Sequence, residues 1–225
     1  AKALRELALC HNATGQHAKA TDAAKGYLAL SEPEESWDTR SLLGGLYEKT
    51  GQIGQARRVR AEVRQILSRK RDAGKAGFFE HMQLSWLLRK EGRYDEALDD
   101  AARYAAMLER DSTYHLLVGN ARAGKGDEEQ AALSFRAGLE DDPLDGSCFL
   151  RLLQVLPPEK KTGIAAEYAR LRDPSAGFRG FAETLHAEED AASLRALLEI
   201  QAGHAPDDPA LADVRKRLSA LEKDD

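Results

Sequence analysis

A glycine followed five residues later by an alanine recurs four times, at Gly15 and Ala20, Gly51 and Ala56, Gly92 and Ala97, and Gly126 and Ala131. Seven residues before each glycine stands a small residue: Ala8, Gly44, Ser85 and Gly119. An aliphatic residue precedes each of these: Leu7, Leu43, Leu84 and Val118. The glycines are 36, 41 and 34 residues apart. Four slots held in step over four copies specify a helical hairpin. The glycine ends one helix and permits the positive φ of a tight turn. The small residue on the first helix and the alanine on the second let the two backbones approach closely. One such hairpin cannot bury its apolar face, so neighbouring copies must stack on it.

The pattern resembles the tetratricopeptide repeat, in which Leu-Gly, Tyr, Ala, Phe and Pro recur within about 34 residues. Leu43, Gly44, Tyr47, Gly51 and Ala56 follow it, and so do Val118, Gly119, Gly126, Ala131, Phe135 and Pro143. The other two copies depart from it. His11 and Leu88 take the Tyr slot there, and Ala24 and Ala101 the Phe slot. The resemblance covers residues 1–145 and implies an all-α fold, a right-handed α-solenoid of antiparallel helical hairpins. Beyond Pro143 the pattern degenerates. Residues 147–156 read as a helix stopped by Pro157-Pro158. Residues 162–171 read as its partner, with Ala165 and Ala169 in the small slots. Residues 175–187 and 190–202 read as a further hairpin. Asp208 and Pro209 then open a capping helix, with Asp208 as N-cap. Its apolar stripe is Leu211, Val214, Leu218 and Leu221, with charge opposite. The expected architecture is therefore one domain over residues 1–225. Its repeats span about 1–36, 37–77, 78–111 and 112–145, with degenerate repeats at 146–174 and 175–206 and a cap helix at 208–222.

Composition agrees with an all-α chain. Only 7 prolines interrupt the 225 residues, the helix formers Ala, Leu, Glu and Arg dominate, and β-branched residues are scarce, with no alternating run of Val, Ile or Thr. No apolar run approaches the roughly 20 residues of a membrane span, and no signal peptide is visible. The chain opens Ala-Lys-Ala without a methionine, so export stays open, and a cytoplasmic location is slightly favoured. Cys10 and Cys148 are expected to be buried free thiols. Insertions relative to 34 residues fall near 32–35 and 68–77, so the second hairpin is expected to have a long second helix followed by a flexible link.

Catalytic constellations are not found: there is no phosphate-binding glycine loop, no His-Glu-x-x-His and no pair of Cys-x-x-Cys. No cofactor, metal or catalytic residue is therefore assigned. His81 and His115 share one slot in successive first helices and are expected to pack rather than bind metal, since further ligands are missing. Acidic runs such as Asp141-Asp142 read as helix-end residues.

One charge cluster stands out. Arg57, Arg58, Arg60, Arg64, Arg69, Lys70, Arg71 and Lys75 oppose only Glu62 and Asp72, so residues 51–75 carry +6 in a chain of net charge -5. Arg57, Arg60, Arg64 and Arg71 share one flank of the stripe Ile53, Ala56, Val59, Val63 and Ile66. This flank reads as a solvated face, as the partner of acids on the next repeat, or as a docking patch for an acidic partner.

The resemblance implies that first helices line a concave face that holds partners. Slot by slot, that face carries Lys2, Arg5, Leu9 and Asn12 from the first repeat and Asp38, Ser41, Gly45, Glu48 and Lys49 from the second. The third contributes Phe79, Met82, Trp86, Arg89 and Lys90, and the fourth Thr113, Leu116 and Asn120. Phe79, Met82 and Trp86 fall at i, i+3 and i+7, a credible anchor for a partner side chain. Some relatives clamp a chaperone's carboxylate terminus with Asn and Lys. Leu9 and Leu116 stand here where that Asn and Lys belong, which argues against such a clamp. The expected function is a protein-protein interaction scaffold, not an enzyme, binding a peptide or partner protein. Its partner, oligomeric state and pathway are left open. Two other readings are an accessory arm of a larger enzyme or assembly complex, and nucleic-acid binding through residues 57–71. Against the last, the chain is acidic overall and no aromatics interleave the basic residues.

Overall fold

The computed structural model describes residues 2–32, 35–108 and 110–157, and beyond them 160–161, 164, 182, 191–204 and 206–222. Eleven helices and no strand occur among the described residues. The partner helix expected at 162–171 and the one at 175–187 lie almost wholly outside them. Two compact units form, Ala1–Glu91 and Gly92–Asp225. The first contains α1 (Lys2–Ala13), α2 (His17–Leu28), α3 (Trp37–Lys49), α4 (Ile53–Asp72) and α5 (Phe78–Lys90). The second contains α6 (Tyr94–Met107), α7 (Ser112–Gly124), α8 (Glu128–Asp141), α9 (Gly146–Val155), α10 (Ala191–His204) and α11 (Ala210–Leu221).

The turns use glycine as the sequence requires. Gly15, Gly51, Gly92 and Gly126 have φ of 72, 73, 75 and 83°, a region costly for residues with a Cβ. The residue after the glycine sends its amide back five residues. Gln16 donates to the His11 carbonyl at 2.8 Å, Gln52 to Tyr47 at 2.7 Å and Asp127 to Arg122 at 3.0 Å. These bonds satisfy carbonyls that the end of the preceding helix would leave open.

The small slots are the points of closest approach. Ala20, Ala97 and Ala131 are 0% exposed and Ala56 is 1% exposed. A Cβ added to Gly119 on α7 would lie 2.7 Å from Cδ1 of Phe135 on α8, whose ring is fully buried. One added to Gly138 would meet Cys148 Sγ at 2.5 Å. In the first unit Ala8, Ala23, Ala24, Leu43, Tyr47 and Ala56 form one core cluster across α1–α4. Leu43 thus packs onto the preceding hairpin. Leu7, its counterpart on α1, is 45% exposed, because among the described residues no earlier hairpin covers it.

The insertion in the second repeat goes into α4, which runs 20 residues. Only 73–77 separate it from α5. Asp side chains cap α7, α8 and α9: Asp111 accepts from Tyr114 N, Asp127 from Gln130 N, and Asp145 from Ser147 N and Cys148 N. Asp111 also accepts the Tyr104 hydroxyl proton at 2.8 Å. Near the C-terminus, Leu211, Val214 and Leu218 of α11 pack with Leu194 and Leu197 of α10. Asp208 accepts from Ala210 N at 2.8 Å.

One thiol departs from expectation. Cys148 is fully buried, but Cys10 is exposed; both are free. Cys10 lies on α1 among Leu7, Leu9 and Ala13, all of which face solvent. Burial, and then the Asp145 carboxylate, push the Cys148 thiol up to about 12.

Two outcomes are expected. Gly119→Ala forces a Cβ into the Phe135 ring and costs about 1–3 kcal/mol in urea unfolding. Gly45→Ala, on the open side of α3 with nothing within 4 Å, is neutral or stabilising by up to about 1 kcal/mol. Equal effects would refute the packing account. A thiol reagent labels one cysteine, Cys10, in the native protein, and the second only in denaturant; mass spectrometry of the digest reads both sites.

Candidate functional site

The expected binding face can be built up from the first helices of the first unit. α1, α3 and α5 are joined by side-chain bonds that include residues the repeat pattern assigns to that face, Arg5, Asn12, Asp38, Ser41 and Lys49. Arg5 on α1 donates to Asp38 on α3 at 2.5 and 3.1 Å. Lys49 at the end of α3 donates to Asn12 Oδ1 at 3.3 Å. Gln83 on α5 donates to the Ser41 hydroxyl on α3 at 3.2 Å. Polar bonds along one edge thus tie three successive first helices together.

Trp86 lies at the centre of the charged part of this face. It is half-buried. Arg60 of α4 lies over its ring at 5.4 Å and Lys90, one turn along α5, at 5.6 Å. Cations over an indole face are attracted by its quadrupole. Arg60 is held there by an ion pair with Glu48 of α3. That hydrogen bond draws the Glu48 carboxyl below its ordinary range; burial opposes it, and the charges of Arg60 and Lys90 reinforce it. Gly45 takes the slot of Trp86 on α3 and leaves open space where a side chain would stand. Phe79 is 56% exposed, its ring 4.0 Å from that of Phe78. Met82 and Arg89 are half-buried and Lys90 is exposed. Asn120 is half-buried on α7, in the second unit.

The basic residues of α4 separate into two groups. Arg60 pairs with Glu48, Arg64 with Glu91 at 2.9 Å, Lys70 with Glu80 at 3.1 Å and Arg71 with Asp72 at 3.0 Å. Glu80 is drawn down despite its burial, by Lys70 and by backbone amides that include Gly77. Arg57, Arg58 and Arg69 are exposed, and their side chains have no polar partner among the described residues. Of the histidines, His81 is buried and His115 faces Asp141 at 3.3 Å. Gln83 and the Arg40–Glu62 pair, 3.4 Å apart, are marked by no motif in the sequence. Gln83 immediately precedes the aliphatic slot at Leu84, which places it on the edge toward α3, but nothing in its residue type points to a bond with Ser41.

No family model matches the chain, and no curated protein matches its sequence. Solved structures do. PilF of Pseudomonas aeruginosa superposes with a TM-score of 0.54 at 16% identity, over 96% of this chain and 96% of that one. A thermophilic TPR protein of Thermus thermophilus superposes with a TM-score of 0.50 at 16% identity, over 98% of this chain and 97% of that one. The fold is tetratricopeptide-like. Tetratricopeptide-like packing accounts for the Gly, Ala and small-residue slots found in both units. No helix among the described residues is long and apolar enough to cross a membrane.

The Glu48–Arg60–Trp86 arrangement is pH-sensitive in a defined sense. A carboxyl with a lowered folded pKa stabilises above its unfolded value, about 4.3, and loses that contribution as pH falls through the folded value. In a Trp37→Phe variant, which leaves Trp86 as the only tryptophan, emission should change below about pH 4 as Glu48 releases Arg60. Glu48→Gln should remove that step, and its persistence would show that another group reports there.

Proposed function

We propose that this chain is a protein-binding scaffold and that α1, α3 and α5 hold a peptide segment of a partner. The observation that carries the reading is the open space at Gly45, on the same first-helix face as the half-buried Trp86 and the exposed Phe79. An apolar side chain entering there gains aromatic surface without displacing protein atoms. The rim is polar and already ordered. Arg5, Asp38, Asn12, Lys49, Ser41 and Gln83 hold one another, so little side-chain entropy is lost on docking. Aromatic residues within a polar rim are the usual composition of binding hot spots. Met82 and Arg89 adapt the edge, and exposed Lys90 and Lys49 favour a partner with acidic flanks.

The test is a peptide-array screen followed by titration of the best binder. Trp86→Ala and Phe79→Ala should each weaken that binder about tenfold or more, the scale of a hot-spot loss. Gly45→Leu should weaken it by filling the open space without lowering thermal stability. If all three bind as the parent does, the site lies elsewhere.

A further inference from the structure

We propose that the chain associates with copies of itself head to tail, the outward face of α4 on one copy lying antiparallel along the outward face of α8 on the next. The inference uses neither Trp86 nor the first-helix face, and it stands or falls separately from the reading above.

The two units carry opposite charge. Ala1–Glu91 has sixteen Lys and Arg against eleven Asp and Glu, and Gly92–Asp225 has seventeen against twenty-seven. Each therefore attracts the other unit of a second copy. The charges are also placed in step. On α4 the buried side is Ala56, Val63, Ile66 and Leu67. Away from it lies the exposed stripe Arg58, Glu62, Gln65 and Arg69, at i, i+4, i+7 and i+11. On α8 the buried side is Ala131, Ser134, Phe135 and Gly138. Opposite lies the exposed stripe Glu129, Leu133, Arg136 and Glu140, with the same spacing.

Laid antiparallel, the stripes match at every charged position. Arg58 meets Glu140, Glu62 meets Arg136, and Arg69 meets Glu129. The one uncharged pair is Gln65 with Leu133, which is 52% exposed. Arg57 falls opposite Asp141 at the end. Ala61 falls opposite Ala137 between the charges, and neither obstructs close approach. The outer charges span roughly 17 Å of each helix, at about 1.5 Å per residue. A parallel arrangement sets Glu62 on Leu133 and Arg136 on Gln65, stranding two charges, so the pattern selects the antiparallel one.

These groups are available. Arg58, Arg69, Glu129, Arg136 and Glu140 make no side-chain hydrogen bond or ion pair among the described residues. Glu62 shares an exposed pair with Arg40 at 3.4 Å, which an intermolecular partner can join. An anionic polymer would find Glu62 in the middle of the stripe and no aromatic ring on it, and would leave the matching stripe on α8 unused. The two patches differ, so the contact is heterologous, and a copy bound through one patch still carries the other. Exposed ion pairs are individually weak, so the association is weak and sensitive to salt.

Sedimentation velocity and light scattering over a wide concentration range test this. Where the Debye length is about 30 Å, near 0.01 M salt, the mean mass should rise with concentration; near 1 M, where it is about 3 Å, it should return to that of the monomer. Arg58→Glu with Arg69→Glu should abolish the rise, and so should Glu129→Lys with Glu140→Lys. Circular dichroism should be unchanged, since these side chains face solvent. Mixing the two double variants should restore the rise, because each mutated stripe finds its complement on the other protein. A monomer at every concentration in low salt overturns the proposal. So does association that survives both double variants, a mixture that stays monomeric, or a salt-dependent change in shape at constant mass.

Discussion

The fold depends on two helices approaching each other where one of them has almost no side chain. Phe135 of α8 lies over Gly119 of α7 so closely that a single carbon on Gly119 would collide with its ring. Ala20, Ala56, Ala97 and Ala131 hold the matching slot on the second helices and are essentially inaccessible. Close approach aligns the hairpin, and a tight turn must join its ends, which is why a glycine with positive φ stands five residues before each alanine. Once paired, the helices still expose an apolar flank, and the next hairpin covers it. Leu43 and Tyr47 of α3 meet Ala23 and Ala24 of α2 in this way. Spacing, turn and stacking are thus consequences of one contact rather than separate features.

This explains which parts of the structure could be read in advance. Turn glycines are legible because few other residues tolerate their backbone, and small slots because a larger side chain would separate the helices. The length of α4 is legible because extra residues with helix propensity and few breakers extend a helix more easily than they form a loop. The state of Cys10 and Leu7 is not. Both occupy slots whose burial in later copies comes from a neighbour, so residue type alone cannot fix their exposure. The Glu48–Arg60–Trp86 group and the Gln83–Ser41 bond join separate elements. Each depends on side-chain direction as well as helix phase. Asn120 has the right phase but belongs to the second unit, so slot position does not suffice to group it with Trp86.

Charge shows the same division more sharply. Residues 51–75 carry +6, but among the described residues half of their eight cations are paired with acids. Arg60, Arg64 and Lys70 face Glu48, Glu91 and Glu80, which lie on or beside α3 and α5. The inward flank of α4 is neutralised by its own neighbours, and the outward flank is not. A helix that packs on one side divides its charged residues into those that fix the fold and those that remain for a partner, and only phase relative to the core separates them.

The division bears on how such a chain could use two surfaces without conflict. The face around Trp86 lies on first helices and is fixed by bonds among α1, α3 and α5. The stripe of Arg58, Glu62, Gln65 and Arg69 lies on a second helix, away from its core. Occupying one leaves the other's side chains where they are. A weak, salt-dependent contact through second helices would then raise the local number of first-helix faces. A partner with several copies of its recognition segment would gain from that number through effective concentration rather than through any new contact.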